Sequence, residues 1–253
     1  MGPGQHRLYD AVSMICFIGL IGLPVWFAVC ALGPKLGLAE GGYALERLTL
    51  FWGVILAGIF LAGGLGALLL LVMYRRSSRE MPPGSWVPIV GLMVAAIAFA
   101  LSLTAALIYN AQPAVSEVTT DGADPPAFTE ALVLRRGVKA NTLNFPDSYR
   151  PEAVIDPVQF DAPPEEVFDA MLETARDRRW RVGAVSRGRD MVELTIESFW
   201  YAQTDDVVVR LTAAETGGTV LDYRAAARTG GRDGGRNARR LNVIEREIRA
   251  RLD

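Results

Sequence analysis

Three stretches, residues 11–32, 49–74 and 86–109, contain no charged side chain, and each is long enough to cross a lipid bilayer. A helix rising about 1.5 Å per residue needs roughly 20 apolar residues to span a hydrocarbon core about 30 Å thick. A charge held at its centre costs several kcal/mol. The pattern therefore predicts a multi-pass membrane protein whose first 110 residues form three transmembrane helices. The first stretch is longer than the apolar core of a cleaved signal peptide and two more come after it, so it is expected to be a retained helix, kinked at Pro24. Cys30 is not expected to carry lipid, because Val29 stands where a lipidation signal needs a small residue. Glycines of the second stretch (Gly53, Gly58, Gly63, Gly64, Gly66) and alanines of the third (Ala95–Ala106) let helices approach closely. They predict a bundle packed on itself, or a seam for a second copy or a partner. The spans offer few polar groups (Ser13, Ser102 and Thr104 stand out), which argues against transport through these helices.

The rest of the chain is of opposite character. From Ala111 onward there are 20 basic and 24 acidic side chains, and every basic one except Lys139 is arginine. That net negative balance gives no bulk attraction to nucleic acid, and none is expected as a partner. Both cysteines, Cys16 and Cys30, fall in the first apolar stretch, and the only histidine, His6, precedes it. The polar half thus lacks thiols and imidazoles, so a disulfide, a zinc site and a histidine-based triad are all excluded there. No metal or cofactor is expected.

Arg75, Arg76 and Arg79 crowd the short connection between the second and third stretches. Short arginine-rich loops remain in the cytoplasm. With Arg7 on the same side and Lys35 and Arg47 on the other, this rule predicts a plasma-membrane protein with its polar half outside, in the periplasm if the membrane is the bacterial inner membrane of a Gram-negative cell. Residues 111–156, rich in proline and poor in periodicity, read as an extended tether, part of it lying against the polar domain.

Residues 157–253 read as that domain. Asp161-Ala162-Pro163-Pro164-Glu165-Glu166 is a helix start, with Asp161 as a capping oxygen, prolines in the first turn and acids at the positive end of the dipole. The helix should run to Asp177 with Val167, Phe168, Met171, Leu172 and Ala175 on its apolar stripe. Alternation then predicts a strand around Trp180–Ala184 and three more over Met191–Trp200, Asp206–Ala213 and Thr219–Arg228, joined by hairpins. One face of that sheet is apolar. The other is ionic: Glu193, Glu197, Asp205, Asp206 and Asp222 are read as an exposed ladder kept for solubility, with an acid/base pair of an envelope hydrolase among them as the lesser alternative. Pairing the hairpins about their midpoints places Arg210 near Thr195 and Asp222, with Glu193 and Glu197 on the diagonals; Glu197, Asp206, Arg210, Asp222 and Arg224 are the expected polar network. A last helix, Asn237–Leu252, presents Ala238, Leu241, Ile244, Ile248 and Leu252. The predicted class is α+β: three transmembrane helices, then an antiparallel sheet packed on two helices.

The most distinctive segment joins the last strand to the last helix: Arg228-Thr229-Gly230-Gly231-Arg232-Asp233-Gly234-Gly235-Arg236-Asn237-Ala238-Arg239-Arg240. Two readings stand side by side. Backbone N–H groups of a glycine turn and a helix N-terminus can cradle an anion, a lipid head group or a phosphorylated metabolite, with Arg228, Arg232, Gly234, Gly235, Arg236, Asn237, Arg239 and Arg240 around it. Alternatively the glycines permit a tight turn, Asp233 and Asn237 bond its backbone, and the arginines pair with nearby acids. No Gly-Lys-Ser/Thr comes after it, so this is not a nucleotide-binding P-loop.

Together with Asp205-Asp206-Val207-Val208-Val209-Arg210, the Asp222/Arg224 strand, Phe145-Pro146-Asp147 and the upstream Thr119-Thr120-Asp121-Gly122-Ala123-Asp124-Pro125-Pro126-Ala127-Phe128, this segment resembles the bacterial and plastid family catalogued as domain of unknown function 1499, over roughly residues 115–253. The sequence departs from the family pattern at Thr229–Arg232 and at Ala226-Ala227. The resemblance implies a membrane-associated or envelope protein with no established catalytic activity. No catalytic residue and no enzyme activity are expected; the expected partners are membrane lipid and a membrane or envelope protein.

Overall fold

The computed structural model describes residues 3–78, 84–129, 133, 142, 154–215, 217–228 and 232–253, with the side chains of residues 3–7, 77, 78 and 189 left aside. The chain divides into two compact units, Met1–Ile108 and Tyr109–Asp253.

The first unit is helical. α1 covers Pro3–Leu32 with Pro24 inside it, and a short 3-10 turn, Gly33–Leu36, comes next. The next helix opens at Gly41–Tyr43, continues as a ten-residue π-helix over Ala44–Gly53, and becomes α2 over Val54–Ser78. α3 covers Trp86–Ala111 and continues into the second unit. The spans Leu8–Leu36, Gly41–Arg76 and Trp86–Ala111 are each long and apolar enough to cross a bilayer, and by that measure the chain is a membrane protein. A π-helix loosens the regular backbone ladder. Here two side chains answer the loosened carbonyls: Trp26 Nε1 donates to Leu48 O (3.1 Å) and Thr49 Oγ1 to Ala44 O (3.0 Å). The helices meet through small residues. Leu23, Ala57 and Ala95 form the buried centre, ringed by Phe27, Phe60 and Phe99. A Cβ added at Gly91 would stand 2.9 Å from the Cys16 carbonyl, so that crossing requires glycine. The internal packing expected from the glycines and alanines is thus present.

The second unit is an antiparallel sheet with two helices. Its strands are β1 (Glu117–Thr119), β2 (Val158–Phe160), β3 (Arg181–Ser186), β4 (Met191–Glu197), β5 (Thr204–Ala213) and β6 (Thr219–Ala227). They are ordered β1-β6-β5-β4-β3, with β2 also paired to β6, ahead of β1's position along that strand. The helices are α4 (Pro164–Asp177) and α5 (Arg236–Leu252). One apolar cluster joins them to one sheet face: Phe168 and Met171 of α4, Ile244 and Ile248 of α5, Leu194, Val207, Val209 and Tyr223 of the strands, all fully buried. Burying such a side chain contributes about 1.5–3 kcal/mol, and the helix stripes and strand alternation read from the sequence are the ones that supply it.

Local details differ from expectation. Asp161 does not cap α4: Pro163 holds the N-cap position without a side-chain bond, and Pro164 begins the helix. β4 ends at Glu197 rather than Trp200, and residues 198–203 form a loop closed by Ser198 N donating to Gln203 O (2.8 Å). The loop is centred two residues earlier than assumed, so Arg210 sits opposite Met191, while Thr195 faces Asp206. The Arg210–Asp222 pairing stands as expected.

The largest difference concerns the ionic face. It is covered, not exposed: Glu193, Thr195, Asp206, Asp222 and Arg224 are all buried. Residues 120–129 lie over it. Phe128, 3% exposed, packs on Val208 and Ala226, and the Thr129 amide donates to Glu193.

Candidate functional site

On the covered face each basic side chain meets an acid. Arg224, fully buried, donates from Nε to Glu117 Oε1 (2.6 Å) and from Nη1 to Pro126 O (3.3 Å), with its guanidinium 4.7 Å over the Phe128 ring. Arg228 donates three bonds to Asp206 (2.8–3.2 Å) and one to Thr195 Oγ1 (3.0 Å). Arg210 gathers three acids, Asp222 (3.1 Å), Asp121 (3.1 Å) and Asp124 (2.9 Å). Glu197, expected in this network, is exposed at the end of β4 and forms no ion pair among the described residues.

Asp121 closes a tight turn, its Oδ1 accepting the Asp124 (2.8 Å) and Ala123 (2.9 Å) amides. The Asp124 amide first, then that of Ala123 and the charge of Arg210, hold its carboxyl below the usual range against a burial effect that opposes them. A carboxylate whose pKa falls on folding stabilises the fold above its unfolded value, about pH 4, and that contribution disappears as pH drops through the folded value. Amide exchange at Ala123 and Asp124 is therefore expected to accelerate as pH is lowered from 5 to below about 4, after correction for intrinsic exchange. Asp121→Asn should abolish that dependence.

The arginine–glycine segment occupies the opposite surface of the same strands' end. Residues 229–231, and the Phe145-Pro146-Asp147 motif, lie outside the described residues. Gly234 and Gly235 have φ of 62° and 73°, and a Cβ at Gly234 would come within 2.5 Å of the Tyr109 ring, so both conformation and space demand glycine. Asp233 then takes the helix N-terminus: Oδ1 accepts from Gly235 N (2.7 Å) and Oδ2 from Asn237 N (3.0 Å). Asp205, fully buried, is gripped by Arg236 through Nε (2.8 Å) and Nη2 (2.6 Å) and by Arg240 (2.7 Å). Arg240 also donates to Asn237 Oδ1 (2.9 Å), Arg239 to Gly234 O (3.0 Å), and Arg232 to the carbonyls of Asn110 (2.9 Å) and Gln112 (3.2 Å). Tyr109 returns a bond from its hydroxyl to Arg232 O (2.6 Å).

The eight expected residues thus gather in two places. Arg232, Gly234, Gly235, Arg236, Asn237, Arg239 and Arg240 share one turn and helix start, where internal carboxylates stand in the positions an external anion would take; Arg228 belongs to the Asp206 cluster. What the sequence reading missed is the groove beside this turn. It measures about 710 Å³ and is lined by Gly235, Ala238, Arg239, Asn242 and Glu245 on one wall and residues 155–159 on the other. Ala238, expected from the sequence on the apolar stripe of the last helix, lines this groove instead and is not part of the buried core cluster.

An antiparallel sheet that comes after three helices long and apolar enough to cross a bilayer makes this an α+β domain of a membrane protein. The family described as Protein of unknown function (DUF1499) matches residues 117–248, just over half of the chain, and the protein belongs to it. No curated protein and no solved structure matches the chain.

Proposed function

We propose that this is a non-catalytic, membrane-anchored envelope protein whose polar domain faces outward, into the periplasm of a Gram-negative cell, and binds a segment of a partner protein. The groove along α5 carries the reading. Its lining mixes apolar Ile155, Val158 and Leu241 with charges of both signs, Asp156 and Glu245 against Arg239 and Arg249. Such a surface suits a polypeptide, which offers side chains of every kind, better than a phosphate or a small anion. The state of the domain's acids supports the non-catalytic part: Asp205 and Asp206 are fully buried and engaged by arginines, which leaves neither open to a substrate proton. Orientation rests on Arg75, Arg76 and Arg79.

Two measurements test the parts separately. A membrane-impermeant maleimide applied to intact cells with a permeabilised outer membrane should label Glu215→Cys and spare Arg76→Cys; the reverse result overturns the orientation. A photo-crosslinker at exposed Asn242 should give one defined adduct in native membranes, lost when Ala238→Trp fills the groove. Adducts that persist in that variant, or that form equally from exposed Thr212, would remove the groove from consideration.

A further inference from the structure

The loop between β4 and β5 holds two large aromatic side chains in solvent. Phe199 is 65% and Trp200 56% exposed, stacked edge to face with ring centroids 4.8 Å apart. The next two residues, Tyr201 and Ala202, have φ of 63° and 45°, left-handed conformations that are costly for side-chain-bearing residues. The backbone is thus strained in the very loop that turns two hydrophobic rings outward.

Beside this loop lies a cluster of arginines. The turn from α4 into β3 carries Arg178, Arg179 and Arg181, all exposed, and these three share a small polar pocket with Arg228, Glu197 and Thr204. Arg178 pairs with Glu247, whereas among the described residues Arg179 and Arg181 form no ion pair. Exposed aromatics rimmed by arginine are the chemistry of a membrane interface, where rings enter the boundary between head groups and chains and guanidinium groups meet phosphate.

The chain's own connectivity identifies the membrane. At the base of the loop, Gln203 Oε1 accepts a bond from Arg236 Nη1 (2.6 Å). Arg236 directly succeeds the Gly234-Gly235 turn that packs against the Tyr109 ring, and Arg232 of the same turn binds the carbonyls of residues 110 and 112. All of these contacts lie within the second unit. Yet Tyr109–Ala111 is also the last turn of α3, the apolar helix. The aromatic loop therefore springs from the end of the domain at which the chain leaves its third span.

We infer that this end of the domain is a second membrane contact, in which Phe199 and Trp200 enter the interfacial layer of the bilayer and Arg178, Arg179 and Arg181 select anionic lipid head groups. The inference rests on the three helices spanning the membrane and not on the groove or on which side the domain faces. The aromatic loop and its three arginines share no residue with the lining of the groove along α5, so the two contacts are tested independently.

The test uses the full chain in lipid nanodiscs, with and without phosphatidylglycerol, carrying an environment-sensitive fluorophore at Phe199→Cys or, as a control on the opposite hairpin, at Glu215→Cys. Nitroxide-labelled head groups should quench the label at position 199 several-fold more than that at 215, and iodide should do the reverse. Phosphatidylglycerol should strengthen lipid quenching at 199, and the combined Arg178→Gln, Arg179→Gln and Arg181→Gln variant should lose that increment while its circular dichroism is unchanged. Equal iodide quenching at both positions, with no response to the nitroxide lipid, overturns the contact. Shielding of position 199 from both quenchers assigns the loop to a protein or a second copy instead, and overturns it equally. Trp200→Cys repeats the reading from the neighbouring side chain. Cysteine sidedness at Glu215 reports separately on the orientation proposed above.

Discussion

Arg224→Ala is expected to cost about 3–5 kcal/mol, the range found when one partner of a buried ion pair is removed. Whole domains are stable by only about 5–15 kcal/mol, so the change should leave the polar domain close to unfolding. The size of the effect comes from where the charge goes. Arg224 is fully buried and Glu117 3% exposed, and without the guanidinium the Glu117 carboxylate faces Phe128 and the sheet with its main cation gone. β1 has only three residues, so this pair together with the Glu117–Ala226, Val118–Ala225 and Thr119–Arg224 ladder is what fastens it to β6. Loss of the pair should therefore appear first as faster hydrogen exchange at residues 117–120, and then across the whole sheet. The paired replacement Glu117→Leu with Arg224→Met removes both charges and fills most of the space. It should recover all but about 1–2 kcal/mol, as buried ion pairs replaced by apolar side chains of like volume do. A single Arg224→Ala variant within about 1 kcal/mol of the parent, by urea titration of the full chain in detergent, would contradict the burial of this pair.

How much of this was legible beforehand depends on the range of the interaction concerned. The stripes of α4 and α5 and the alternation of β4, β5 and β6 are local patterns, and apart from Ala238, Trp200 and Ala227 the side chains they nominate lie in the core or against it. Even the mistaken hairpin centre kept every side chain on its own face, because a slip of four residues is an even one; it moved Arg210 from Thr195 to Met191 without changing which surface it serves. β1 and β2, three residues each, were too short to show a period. Alternation also reveals that a sheet has two unlike faces but not whether the second is covered. That cover, residues 120–129, is non-periodic and irregular, held by single contacts such as Phe128 on Arg224. The arginine–glycine turn shows the same limit. Its glycines and helix start were readable, whereas the acid that occupies its arginines, Asp205, lies 31 residues before Arg236 and 35 before Arg240. Phe199 and Trp200 extended an apparent strand pattern, and only the left-handed residues after them reveal a loop.

Asp205→Ala is the counterpart at that turn, with an expected loss of about 3–5 kcal/mol because it strands two cations instead of one anion. Arg236 and Arg240 keep side-chain exposures of 17% and 9%, too little for water to replace the carboxylate that now takes three of their bonds. Burial works against the charge on Arg236, yet hydrogen bonding and attraction from Asp205 outweigh it, and its pKa lies above the ordinary arginine value. With the carboxylate gone, the burial penalty is opposed only by the more distant charge of Asp233 and the bond to Gln203. Asp205→Asn keeps the shape and one acceptor but no charge, so it should fall between alanine and the parent. The consequence should spread along the turn: Arg236 also holds Gln203, and Asp233, Gly234 and Arg232 of the same segment hold the Val115 carbonyl, the Tyr109 ring and residues 110–112. Exchange should then rise at residues 232–240, at 203–205 and at 109–115 together, while the Asp206–Arg228 cluster on the other face changes less. Adding Arg236→Met and Arg240→Met to Asp205→Ala should restore much of the stability, since all three charges leave together. If the triple variant is no more stable than Asp205→Ala, the loss came from shape and not from stranded charge, and the electrostatic account of this turn fails.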